Sequence, residues 1–208
     1  MRVKGKVALV SGGGAGIGEA ICMRLAEEGA TVAVTDINEQ NARRVADAIV
    51  NQGGTALAIH QDVTDEKRWA QVVDQVVEQA GSLDVLVNNA GIAIVGNVEN
   101  TSLEDWQKTQ SVNLDAVFLG TREAVRVMKN SGGSIINISS IEGIIEDPQI
   151  AAYNASKGGV RIFTKSAALH CAAQGYPVRV NSVHPGFIST NYGDVCFRCH
   201  ERRGCAGI

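Results

Sequence analysis

Val7-Ala8-Leu9-Val10-Ser11-Gly12-Gly13-Gly14-Ala15-Gly16-Ile17-Gly18 is the stretch that decides the fold. Four apolar residues run into a glycine-rich turn, and a helix-period pattern starts at Ile17. An apolar run without alternation suits a strand covered on both faces, as in a parallel sheet. The same unit recurs along the chain. Apolar runs occupy 7–10, 31–35, 56–59, 85–87, 134–138 and 178–183, with helical patterns near 17–28, 39–51, 65–80, 104–129 and 153–174. Such alternation predicts right-handed βαβ units, hence an α/β fold: a doubly wound parallel sheet of the Rossmann type in three αβα layers. Thr64 and the pair Thr101/Ser102 read as helix N-caps, and Gly29, Gly53/Gly54 and Gly81 as helix ends.

Glycine in the first turn lets backbone approach a phosphate, and the following helix N-terminus offers N–H groups and the positive end of a dipole. A plain strand-to-helix turn would read the same way. Asp36 adds information, because it ends the second strand 18 residues after Gly18. A carboxylate there accepts both ribose hydroxyls of an adenosine and repels a 2′-phosphate. No Arg or Lys stands in the loop or beside Asp36, which points to NAD rather than NADP. The plainer reading of Asp36 is a solvated helix cap. Further on, Tyr153 and Lys157 are i and i+4 on one helix and share a face. A phenol titrates near ~10, and a nearby ammonium favours its phenolate.

Composition narrows the classes. The chain has 208 residues, 45% of them hydrophobic, and a net charge of −3. That excludes disorder and predicts one domain over 1–190. Without a basic block before residue 190 there is no nucleic-acid footprint. No apolar run approaches the ~18 residues of a membrane span. The apolar stretch at 7–10 is too short for a signal peptide, so a cytoplasmic protein is expected. His60, His170 and His184 lack a second ligand at metal spacing, so no metal is expected. Trp69, Trp106, Cys22 and Cys171 read as packing residues.

The glycine spacing Gly-x-x-x-Gly-x-Gly, the turn Asn88-Asn89-Ala90-Gly91, and Ser140 followed by Tyr153-Asn154-Ala155-Ser156-Lys157 together resemble the short-chain dehydrogenase/reductase family. The resemblance runs from residue 5 to about 190. Its one departure among these motifs is Ser11, where the family usually has Thr. It implies catalysis by Asn113, Ser140, Tyr153 and Lys157. Asn113 would hold a water in a proton relay from Lys157, although an Asn in that helical pattern also reads as a satisfied packing amide. It implies NAD held by Gly12, Gly16, Ile17, Gly18, Asp36, Asp62, Val63, Asn89, Ala90, Gly91, Tyr153 and Lys157. Pro185, Gly186, Ile188 and Thr190 would bind the nicotinamide carboxamide. Asp62, on its residues alone, reads equally as a helix-capping carboxylate, and Asn88 is assigned to holding strands together. Within the family the sequence is similar to bacterial secondary-alcohol and cyclopentanol dehydrogenases, with hydroxysteroid dehydrogenases close behind. That implies a small apolar alcohol or ketone as substrate, beside a wall of Ile141, Ile144, Ile145 and Ile150 with Glu142 at its mouth. Family members usually form homotetramers or homodimers.

After Thr190 the composition changes: residues 191–208 hold three of the five cysteines and three arginines. Cys196-Phe197-Arg198-Cys199-His200 matches a c-type haem attachment pattern, and Cys205 adds a thiolate suited to zinc. Haem attachment needs export, so neither group is expected. The tail reads instead as a frameshift or an aberrant end that replaces the substrate-loop helices and the last strand. On that reading the chain binds cofactor with impaired turnover.

Overall fold

The computed structural model describes residues 1–190. In chain order they form β1 (Val7–Ser11), α1 (Gly16–Glu27), β2 (Thr31–Asp36), α2 (Glu39–Asn51), β3 (Thr55–His60), α3 (Glu66–Ala80), β4 (Val85–Asn88), α4 (Leu103–Gln110), α5 (Ala116–Met128), β5 (Gly133–Ile138), α6 (Ala151–Ala173) and β6 (Val178–Val183). All strand pairs are parallel, and the sheet order is β3-β2-β1-β4-β5-β6. Helices cover both faces. Val10, Val32 and Val34 pack with α1 and α2 through Cys22, Ala42, Val45 and Ile49. Leu9, Ala33 and Ile135 pack the opposite way, with α3, α5 and α6 through Trp69, Val72, Leu119 and Cys171. Neighbouring strand residues thus serve two different cores, which is why the central strands β1 and β2 read as nearly unbroken apolar runs. Trp69 is fully buried, and its indole N–H donates to the Val63 carbonyl at 2.8 Å.

Two details differ from the sequence expectation. The third helix is capped by Asp65, which accepts from Lys67 N and Arg68 N. Thr64 instead donates its hydroxyl to Asp62. The single helix expected over 104–129 is interrupted by a π-helical turn, Ser111–Asp115, between α4 and α5. Among the described residues no helix is long and apolar enough to cross a membrane, and no His/Cys/Asp/Glu cluster could hold a metal ion. The haem, zinc and frameshift readings of 191–208 fall outside the described residues.

Two helical glycines predict opposite responses to the same substitution. A β-carbon at Gly120 would overlap Asn88 Oδ1 and lie 2.6 Å from the Trp69 ring, whereas one at Gly158 meets nothing within 4 Å. Urea denaturation should show Gly120→Ala destabilised by about 1–3 kcal/mol. Gly158→Ala should be stabilised by roughly 0.5–1 kcal/mol.

Candidate active site

The sheet order reverses between β1 and β4, so the chain leaves their carboxyl ends in opposite directions and opens a crevice there. The crevice is laced across. Asn89 Nδ2 donates to the Ser11 and Gly12 carbonyls, both at 3.0 Å. The Ser11 hydroxyl accepts from Asn89 N at 3.1 Å and Ala90 N at 3.3 Å. A hydroxyl at residue 11 is therefore what the architecture needs, and serine supplies it. Gly12 and Gly16 have φ of +62° and +55°, where a side chain is strained. A β-carbon at Gly12 would stand 2.9 Å from Ala90 Cα, and one at Gly18 would overlap the Gly12 carbonyl oxygen. Ile17 lies in the first turn of α1.

These features fit a dinucleotide. The N-cap of α1 is Ala15, which gives no side-chain hydrogen bond. By contrast α2, α3 and α4 are capped by Asn38, Asp65 and Ser102. Helices α5 and α6 also start without a side-chain cap, but α1 is the one behind the glycine loop, where backbone N–H groups would face a pyrophosphate. Asp36 ends β2 beside this loop: Oδ2 accepts from Gly14 N at 3.0 Å and Oδ1 from Asn38 N at 2.9 Å. On the next strand over, Asp62 Oδ1 accepts from Thr64 N and Oγ at 2.9 and 2.7 Å, and Val63 lies buried beside it. The sequence pattern missed one neighbour. Arg44, on α2, reaches the loop and donates to the Gly14 carbonyl at 2.9 Å. The loop itself and the neighbours of Asp36 in sequence carry no Arg or Lys, as expected, but folding brings this one against the loop. Sequence distance hid a contact that the packing of α2 on α1 creates.

The other wall of the crevice holds Ser140, Tyr153 and Lys157. Lys157 is buried, and its ammonium donates to the Ile138 carbonyl at 2.9 Å, two residues before Ser140. Its Nζ lies 5.5 Å from the centre of the Tyr153 ring. Ser139 Oγ donates to the Lys157 carbonyl at 2.8 Å, a brace that the sequence did not signal. Ser140 is 7% exposed, and its Oγ accepts from Glu142 N at 3.1 Å as the cap of a short 3-10 turn, Ile141–Gly143. His184 Nδ1 lies 3.0 Å from the Ser140 carbonyl oxygen, and Ile141 N donates to Pro185 O at 2.9 Å. The end of β5 is thus tied to the segment after β6. That segment carries Gly186 and Ile188 across to Thr190, whose Cβ would be 3.6 Å from a β-carbon on Gly16.

Asn113 sits in the π turn, fully buried. Its Oδ1 accepts from Ile92 N and its Nδ2 donates to Ile92 O, both at 2.8 Å, with Ser156 Oγ at 3.0 Å. A β-carbon on Gly91 would lie 3.3 Å from Asn113 Oδ1 and 3.4 Å from Lys157 Nζ. Asn113, Gly91 and Lys157 are therefore neighbours, although each comes from a different element. Asn88 Nδ2 donates to Asn137 Oδ1 on β5 at 2.9 Å. Of the apolar wall, Ile144 and Ile145 are about half exposed. Burial, with Asp147 and Glu146 nearby, raises the Glu142 carboxyl above the usual carboxylate range.

The pattern of the short chain dehydrogenase family matches residues 6–197. The chain is 51% identical over 193 residues to an NADP-dependent (R)-specific alcohol dehydrogenase of Lentilactobacillus kefiri, covering 91% of this chain and 75% of that one. It is 46% identical to a cyclopentanol dehydrogenase of Comamonas sp., with 91% and 75% covered. It is 42% identical to a 3-beta-hydroxysteroid dehydrogenase of Comamonas testosteroni, with 91% and 73% covered.

Burial lowers the Lys157 ammonium from the ordinary lysine value of 10.5 to about 8. The unfolded chain therefore binds more protons between those values, and stability rises with pH across that window. Denaturation between pH 7 and 10.5 should show this rise in the native protein. Lys157→Met should flatten it and be more stable at pH 7 by about 2 kcal/mol. Parallel pH curves for the two proteins would contradict the assignment.

Proposed function

Because this chain belongs to the short chain dehydrogenase family, oxidoreductases that bind a nicotinamide cofactor, we propose that it interconverts a small apolar secondary alcohol and its ketone with NAD. The observation that carries this reading is the meeting of Tyr153, Lys157, Asn113 and Gly91 at a crevice whose other side is an uncapped, glycine-lined helix N-terminus. The bound nicotinamide supplies a carrier that accepts or returns a hydride.

The chain's own residues do the proton work. The Tyr153 tyrosinate takes the alcohol proton in oxidation, and the phenol so formed gives a proton to the carbonyl oxygen in reduction. Lys157, charged near neutral pH, favours the tyrosinate that oxidation requires. Ser140 supplies a hydroxyl to hydrogen-bond the substrate oxygen. Asn113 completes the set. With its side-chain amide engaged by Ile92 and Ser156, it fixes the strand-to-loop exit that carries Gly91 against Lys157.

NAD is favoured because the Asp36 carboxylate stands where the adenosine ribose would lie, and a 2′-phosphate there would meet its charge. The cyclopentanol dehydrogenase relative and the isoleucines near Ser140 support an uncharged, apolar substrate. Association of like copies belongs to the same reading: Phe118 on α5 and Ile162 and Leu169 on α6 are 45%, 62% and 71% exposed.

A panel of secondary alcohols with NAD should reveal turnover by the native chain, and Tyr153→Phe should lose it by about 10²–10⁴-fold while still binding NAD. Undiminished turnover in that variant would remove Tyr153 from the chemistry. Asp36→Ala should move the ratio of kcat/KM values toward NADP by at least about tenfold, a change of about 1.4 kcal/mol. An unmoved ratio would sink the role given to Asp36.

A further inference from the structure

Gly14 is held from both sides by opposite charges. Its N–H donates to Asp36 Oδ2 at 3.0 Å, and its carbonyl accepts from Arg44 Nη2 at 2.9 Å. One residue therefore separates the β2 carboxylate from a guanidinium on α2. An arginine so placed would ordinarily attract phosphate, which its planar fork matches two oxygens at a time. This one is already paired. Arg44 Nη1 and Nη2 donate to Glu19 Oε1 and Oε2 at 2.8 and 2.6 Å. With the Gly14 bond, three of the guanidinium's five donors are engaged. Glu19 stands in the first turn of α1, directly behind the loop.

We propose that Glu19 is a cofactor-selecting residue: by holding Arg44 in a fork-to-fork pair, it keeps a phosphate-binding guanidinium away from the adenosine ribose. The preference for NAD then rests on two carboxylates with different jobs. Asp36 repels a 2′-phosphate, and Glu19 occupies the arginine that would otherwise compensate for it. The idea rests on the NAD reading above but concerns a different pair of side chains. Both partners are partly exposed, at 54% and 34%, so Arg44 has room to turn once released. The pairing also lowers the Glu19 carboxyl and raises the Arg44 guanidinium relative to their ordinary values.

The test measures binding rather than turnover. The full chain is titrated calorimetrically with adenosine 5′-monophosphate and with adenosine 2′,5′-bisphosphate at about 50 mM and about 300 mM salt. Glu19→Gln should tighten the bisphosphate about three- to tenfold at low salt and leave the monophosphate within about twofold. Adding Arg44→Gln should erase that gain. An unchanged ratio in Glu19→Gln overturns the proposal. So does equal weakening of both ligands, which would mean that the pair only braces the loop. Asp36→Ala separates the two ideas. If it leaves the ratio unmoved, the NAD reading of Asp36 fails. If it moves the ratio while Glu19→Gln does nothing in either background, only the Glu19 proposal fails.

Discussion

One side-chain amide ties the two halves of the sheet together at the crevice. Asn89 Nδ2 reaches from the end of β4 to the carbonyls of Ser11 and Gly12 at the end of β1. Those carbonyls lie just past Val10, the last β1 residue paired with β4, at the point where the strand order reverses. The amide satisfies them, and the Ser11 hydroxyl returns the connection by accepting from Asn89 N and Ala90 N. Glycine at 12 and 18 follows as a steric requirement, since any β-carbon would meet this lacing. The uncapped start of α1 is then held open beside it.

The second wall depends on a buried cation. An ammonium at the Lys157 position is costly to desolvate. Its contact with the Ile138 carbonyl and the face of Tyr153 lies where the cost can be offset. Ser139, the 3-10 turn after Ser140 and the imidazole of His184 fix the strand end that provides this contact. The site is thus a set of backbone carbonyls and amides at strand ends.

Much of this was legible in the sequence, for identifiable reasons. Strands buried on both faces announce themselves by unbroken apolar runs. Glycines that face a lacing of hydrogen bonds cluster in a short turn. Tyr153 and Lys157 are a helical pair, so their shared face is arithmetic. What stayed hidden depends on contacts between elements. Arg44 reaches Gly14 only because α2 lies against α1, and the partners of Lys157 are main-chain atoms of another strand. Asn113 gave a faint sign, as a mediocre helix former in a long helical pattern. Nothing in its local sequence showed that the helix changes pitch around it. The similarity to known dehydrogenases supplied the family, whereas the charges gathered around Gly14 come from three separate elements.

The change of pitch at Ser111–Asp115 acts as a phase shifter. A wider turn takes up extra chain before the α-helical repeat resumes, so the stripe α4 presents and the stripe α5 presents are rotated out of step. α4 can therefore face α6, with Gln110 Nε2 donating to the Ala152 carbonyl, while α5 turns Val117, Leu119 and Ala124 inward. Removing one residue from this segment would bring the two stripes back into step and carry Asn113 around the helix axis by roughly 100°. In this region, then, the length of the chain is itself a determinant of the site. A single-residue deletion there would dephase the crevice.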